Sequence, residues 1–118
     1  MIRILVDTNV LVYIFERKLN INEVLDRALS EAYILNTLDL CLNELKTIGK
    51  PGIVKFVAQI VIRIVNSGMK AISVDDAIIK EASLGGFYIM SEDKELLAKA
   101  AAEGIRTISF NGYGVKIN

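Results

Sequence analysis

Short apolar runs alternate with amphipathic stretches along nearly the whole of this chain, and that alternation limits its fold more than any other feature. The strand-like runs are Ile2–Val6, Tyr33–Leu35, Ala71–Ile72, Phe87–Met90 and Thr107–Phe110. Helical stretches fall near Val10–Phe15, Ile21–Ala32, Asp39–Ile48, Ile53–Asn66, Val74–Leu84 and Glu92–Glu103. Consecutive parallel strands need a crossover, usually a helix, and such crossovers are right-handed. The pattern therefore predicts an α/β fold, with a parallel sheet covered by helices on both faces. Gly49-Lys50-Pro51-Gly52, Ser67-Gly68 and Gly85-Gly86 punctuate the elements, and Gly104 fits a helix C′ position before the last strand. With no repeat, low-complexity tract or linker, a single domain over residues 1–118 is expected, long enough to bury a core without disulfides.

The stretch Ile53–Asn66 stands apart. Its polar residues Lys55, Gln59, Arg63 and Asn66 are spaced by four, four and three, which is one narrow helical stripe on an otherwise apolar segment. A helix apolar around most of its circumference is buried on more than one side, so it is either central to the core or packed against a partner chain, and a homodimer contact involving this helix is the favoured expectation. The many β-branched residues support a competing reading as a buried strand pair.

Composition narrows the chemistry. Formal charge is zero and the sequence pI is about 6.3, so nucleic acid could be held only by a local patch of Lys and Arg. The 53% hydrophobic content is high for 118 residues and suggests that some apolar surface faces another protomer. Cys41 alone excludes a disulfide framework or a Cys-rich zinc or iron–sulfur site, and among Leu40, Leu42 and Leu45 it reads as a small buried hydrophobe. Met1 leads straight into a short strand-like run, and Lys55, Gln59 and Arg63 interrupt the most apolar stretch. Neither a signal peptide nor a membrane span is expected, and a cytoplasmic location follows as the default.

Four acids recur at comparable points. Asp7 ends the run Ile2–Val6 and opens Asp7-Thr8-Asn9; Glu44 lies on a helix; Asp76 begins one; Asp93 follows Phe87–Met90. An acid where a buried parallel strand stops lies at the carboxyl edge of the sheet, where open α/β folds bind ligands. Each acid also has a plain structural explanation. Asp7 could cap the next helix, although Thr8 or Asn9 would serve. Glu44 could be a boundary glutamate beside Leu40, Cys41, Leu45 and Ile48. Ser73-Val74-Asp75-Asp76 has the spacing of a capping box, and Asp93 could complement a helix dipole. The ensemble is more telling than its members. With no histidine in the chain, several carboxylates gathered at one sheet edge repel one another unless cations neutralise them. Oxygen-only ligation suits Mg²⁺ or Mn²⁺ rather than zinc, and such ions promote phosphodiester hydrolysis. The residues thus read as a metal-dependent phosphodiesterase.

Ile4-Leu5-Val6-Asp7-Thr8-Asn9, Asn43-Glu44-Leu45, Val74-Asp75-Asp76-Ala77-Ile78-Ile79 and Ser91-Glu92-Asp93-Lys94-Glu95-Leu96, in that order, resemble the PIN domain. The resemblance extends to Gly104-Ile105 and is greatest to small archaeal PIN proteins related to rRNA-processing PIN nucleases, rather than to the toxin branch. It implies an α/β/α sandwich with parallel strands in the order 3-2-1-4-5, and Mg²⁺- or Mn²⁺-dependent cleavage of single-stranded or structured RNA. It assigns metal binding to Asp7, Glu44, Asp76 and Asp93, with Asn9 and Ser91 orienting them and Thr8 and Asp75 in support. Asp76, the acid before Ala77, is the one expected to face the metal. Where the family often has Thr-Asn-Asp this chain has Ser91-Glu92-Asp93, so Glu92 adds a negative charge near the site.

Candidate phosphate contacts are Arg17, Lys18, Lys46, Lys50 and Lys94, each of which also reads as an ordinary solvated side chain. Tyr13 or Phe15 could stack a base, with core packing the plainer expectation for both. An endoribonuclease of RNA processing or decay is the leading functional reading. A toxin-type PIN RNase held by an antitoxin is a second, and a PIN-fold module that binds RNA or protein without cutting is a third. A phosphoaspartate enzyme of the haloacid dehalogenase type would need a second acid where Asn9 stands.

Overall fold

Strand β1 (Ile2–Val6) is apolar and buried apart from the exposed Arg3, because both of its faces are covered beyond that residue. Ile2, Ile4 and Val6 point into one core and Leu5 into another, as the twofold alternation of a strand requires. In this computed structural model, which describes residues 1–68, 73–112 and 114–118, the sheet runs β3-β2-β1-β4-β5-β6. The remaining strands are β2 (Tyr33–Leu38), β3 (Arg63–Val65), β4 (Tyr88–Met90), β5 (Thr107–Asn111) and β6 (Gly114–Ile117). The first five are parallel in the expected order 3-2-1-4-5. The sixth is antiparallel to β5, which makes the sheet mixed. Asn111-Gly112 followed by alternating Val115 and Ile117 is an ordinary hairpin signal, and Gly112 adopts a φ of 63° there.

Helices cover both faces. On one side α1 (Thr8–Arg17), α2 (Ile21–Ala28) and α4 (Ile53–Ala58) bury Val10, Leu11, Ile14, Ile21, Leu25, Ile53 and Val57 against β1. On the other, α5 (Val74–Gly85) and α6 (Lys94–Ala102) bury Ile78, Ile79, Ala82, Leu96 and Ala100 against Leu5 and Ile89. Helix α3 (Asp39–Ile48) serves both cores, with Leu45 in the first and Cys41 in the second. The result is an α/β/α sandwich.

The segment Ile53–Asn66 departs from expectation. It is not one helix: α4 ends at Ala58, and the chain then extends into β3, which pairs with β2 from Asn36↔Arg63 to Leu38↔Val65. The run Ile60-Val61-Ile62-Arg63-Ile64-Val65 is dominated by β-branched side chains, which are stiff at χ1 and suit a pleated surface, and β2 offered a free edge. The four-four-three spacing of Lys55, Gln59, Arg63 and Asn66 therefore marks no helical face. The expected dimer contact loses its long helix. What the segment leaves in solvent is Val54 (48% exposed), Val61 (87%) and Ile64 (57%). The expected strand Ala71–Ile72 lies outside the described residues, and no helix is long and apolar enough to cross a membrane among those described.

Candidate functional site

From β1 the chain moves outward to β2 and β3, then returns to the opposite side of β1 for β4 and β5. The order reverses between β1 and β4, and in open α/β sheets the crevice beyond the carboxyl ends of such strands is where ligands bind. Asp7 and Ser91 stand there as the residues following β1 and β4. Their strands are held in register past their ends: Asp7 N–H donates to Met90 O at 2.9 Å and Ser91 N–H to Ile108 O at 3.1 Å.

Asp7 precedes α1 as its N-cap, but it is an unusual one. A capping carboxylate ordinarily accepts from the second or third helical N–H. Asp7 Oδ1 instead accepts the adjacent Thr8 N–H at 2.8 Å, and Oδ2 accepts the Ser91 hydroxyl at 2.8 Å. Ser91 has a single proton to give and gives it to Asp7; in return its oxygen accepts Asp93 N–H at 3.0 Å and Asn9 Nδ2–H at 3.4 Å. Asn9 Oδ1 accepts Glu92 N–H at 3.1 Å. Asn9 and Ser91 thus lock the β4–α6 loop to the start of α1, with Asp7 at the junction.

Glu44 reaches the same place from α3: Thr8 Oγ1 donates to its Oε1 at 2.8 Å. Asp93 caps α6 conventionally, with Oδ1 accepting Glu95 N–H at 2.9 Å and Leu96 N–H at 3.3 Å. Ser73 caps α5 by accepting Asp76 N–H at 3.1 Å, the forward half of the anticipated capping box. The adjacent acids of that helix then part. Asp75 is half-buried and electrostatically coupled to Asp7, Glu44 and Asp93, whereas Asp76 is exposed. Glu92 also turns away from the acids: its Oε1 accepts Phe110 N–H at 2.7 Å, satisfying the edge of β5 where β4 has ended.

The electrostatics describe acids that are only partly compensated. Burial pushes the Asp7 carboxyl above its ordinary value of 3.8, against the two hydrogen bonds it accepts, and Asp75 and Glu44 add to the rise. Asp75 is raised by burial first and then by Asp93, with Lys99 opposing and Glu44 and Asp76 contributing. Among the described residues no Lys or Arg forms an ion pair with Asp7, Glu44, Asp75 or Asp93; the pairs are Met1 with Glu31, Arg27 with Glu23, and Lys50 with Glu16.

Cys41 is buried as expected, yet its sulfur belongs to this place. Ligand atoms of Asp7, Cys41 and Glu44 all lie within 4.8 Å of one another. Cys41 precedes Glu44 by three, and residues so spaced share a helix face, which is the signal that would have connected them. Burial, with Asp7 and Glu44 adding to it, pushes the thiol up to about 11, so sulfur stays protonated near neutral pH. The thiolate, not the thiol, ligates metals. The hard donors of this set are the carboxylate oxygens of Asp7 and Glu44, which fit Mg²⁺ or Mn²⁺, beside one soft sulfur.

Of the expected phosphate contacts, Lys94 alone directly follows one of these acids. Arg17 and Lys18 lie at the far end of α1, about 15 Å from Asp7 at 1.5 Å of rise per residue. Lys50 pairs with Glu16 at 3.4 Å, and Lys46 lines an apolar groove with Leu42, Leu45 and Val54.

The fold is that of a PIN domain. It superposes on the structure of the PIN domain endonuclease Utp24 with a TM-score of 0.84, at 18% identity, over 98% of this chain and 90% of that one. A domain of a functionally unknown protein from Methanocaldococcus jannaschii superposes with a TM-score of 0.63, at 16% identity, over 95% of this chain and 93% of that one. No protein-family model matches the sequence, and no curated protein does.

Proposed function

We propose that this chain is a divalent-metal-dependent endoribonuclease that hydrolyses phosphodiester bonds in single-stranded or structured RNA. One observation carries the reading: carboxylate oxygens of Asp7 and Glu44 lie within 4.8 Å of each other and of the Cys41 sulfur at the β1/β4 switch point, and among the described residues no Lys or Arg is paired with them or with Asp75 and Asp93. A fold that holds the Asp7 and Glu44 carboxylates this close, with the Asp75 charge also acting on Asp7, is better explained by a bound cation than by helix capping, which Asp93 performs with one oxygen and Asp7 performs poorly. The likeness to an endonuclease domain supports the same reading. When bound, Mg²⁺ or Mn²⁺ supplies Lewis acidity, acidifying water and offsetting phosphodiester charge.

The protein's own residues do the positioning. Asp7 is the central ligand, fixed by Thr8 N–H and the Ser91 hydroxyl. Glu44 and Asp75 approach from helices on either side, and Asp93 closes the set. Asp75 takes the third position here in place of Asp76, because Asp75 is the acid whose charge reaches Asp7. Asn9 and Ser91 fix the loop bearing Asp93.

Purified protein with Mn²⁺ should cleave mixed single-stranded RNA, and EDTA should stop it. Cleavage that survives EDTA would sink the assignment. Thr8→Val keeps side-chain volume but removes the hydroxyl that holds Glu44. Losing such an outer partner typically costs about 10–100-fold in metal affinity or activity. Glu44 itself is exposed and can turn to water, so thermal melting should move little, by about 1 kcal/mol or less. Paired kinetics and melts on this variant separate anchoring from folding.

A further inference from the structure

Helix α1 carries a line of polar and planar side chains away from the acids. Asn9, Tyr13 and Arg17 recur every four residues and share one face. Asn9 bonds Ser91 and Glu92 at the site. One turn on, the Tyr13 ring stacks on Phe110 of β5, with centroids 4.3 Å apart and planes 19° from parallel. A turn further, the Arg17 guanidinium carbon lies 4.4 Å from the Tyr13 ring centre. At 1.5 Å of rise per residue, this group begins about 6 Å from Asn9 and ends about 12 Å from it.

Core packing accounts for Phe110, which lies against the β1 core, but not for Tyr13 and Arg17 beside it. The buried face of α1 is Thr8, Val10, Leu11 and Ile14, whereas Tyr13 and Phe110 are half-buried and Arg17 is exposed. Phe110 is moreover tied to the site, because its N–H is the one Glu92 accepts at 2.7 Å. The loop carrying Asp93 and the aromatic stack are thus one connected structure. With zero net charge the protein has no global field to gather phosphates, so affinity for a strand must come from local contacts. Aromatic rings stack unpaired bases whatever their sequence, and a guanidinium both stacks and binds phosphate.

We propose that Tyr13, Phe110 and Arg17 form a subsite for one unpaired base and its adjoining phosphate, on a single RNA strand that runs along α1 into the acidic pocket. This rests on the nuclease reading and extends it by stating where the strand lies and that it must be unpaired. The test uses the full chain carrying Asp7→Asn, which binds without cutting, and fluorescence anisotropy with a short labelled oligoadenylate. One stacked base contributes about tenfold in affinity. Arg17→Gln and Phe110→Leu should each weaken binding by about that factor, and abasic sites in the oligomer should weaken binding to the parent but not to the double variant. Arg17 is exposed, so its variant keeps the test valid if Phe110→Leu melts early. Binding within twofold of the parent for Arg17→Gln, or equal loss from abasic sites in parent and double variant, overturns the subsite. If the unsubstituted protein cleaves RNA with Mn²⁺ while those variants bind normally, only the subsite fails; if it neither cleaves nor binds, the nuclease reading fails with it.

Discussion

Asp7→Asn is expected to abolish Mn²⁺-dependent RNA cleavage, by about 10³-fold or more, while making the metal-free protein more stable. A loss of that size is about 4 kcal/mol of transition-state stabilisation. Asparagine retains an oxygen for the Thr8 N–H; its amide nitrogen cannot accept the Ser91 proton, which can turn to Asn9 Oδ1 3.5 Å away, so the junction of α1 and β4 survives. What disappears is a buried negative charge facing Glu44 and Asp75. The gain should be about 1 kcal/mol, which in a chain of this size raises Tm by roughly 4 °C.

The pH dependence follows from the same groups. Asp7 and Asp75 have folded values raised above 3.8, so the folded state holds these protons more tightly than the unfolded chain does. Their contribution to stability is fully present below 3.8 and is lost as pH rises through the folded values. Melts of the metal-free protein should therefore fall as pH climbs from about 4 towards neutrality, and fall less for Asp7→Asn. Saturating Mn²⁺ at neutral pH should restore Tm in the parent, because a ligand at a hundred times its Kd stabilises by about 2.7 kcal/mol. A parent whose melting ignores both pH and Mn²⁺ would show that these carboxylates hold no cation.

The second large effect separates neighbours. Asp75→Asn should reduce cleavage about a hundredfold, and Asp76→Asn by no more than about threefold. Helix phase is the reason. Asp75 lies three, four and seven residues before Ile78, Ile79 and Ala82, all buried, so its carboxylate sits at the inner stripe of α5. Asp76 lies four before the exposed Lys80 and serves mainly the helix dipole, a contribution of about 0.5 kcal/mol. Equal losses from both substitutions, or a larger one from Asp76→Asn, would reassign the third acid.

The proposed preference for Asp75 also has a basis in the chain. The expectation of Asp76 followed from its place before Ala77, whereas counting apolar residues along α5 already favours Asp75. The central sheet was legible for a related reason: β1, β4 and β5 are buried runs bounded by turn residues, and their period is unambiguous. The segment after Ile53 was not, because uniformly apolar residues fit helix and strand alike. Only the free edge of β2 decided it. The site shows the same division. Asp7 was conspicuous at a strand end, but the direction of the Glu92 carboxylate depends on an N–H of β5, eighteen residues away. Cys41 looked like filler because burial and proximity to acids are both consequences of how α3 packs against α1 and β2.

The acids are mounted unequally, and for the cation site proposed above this bears on which ions it would tolerate. Asp7 hangs from the middle of the sheet, gripped at both oxygens, while Glu44 projects from an exposed helix face on one hydroxyl tether. One wall is stiff and the other yields. The few tenths of an ångström that distinguish Mg²⁺–oxygen bonds from those of larger cations can be absorbed by rotation about the Glu44 side chain, without strain in the strands. Under the proposed function, exchanging one hard ion for another should then alter how tightly it is held more than where a substrate phosphate would sit.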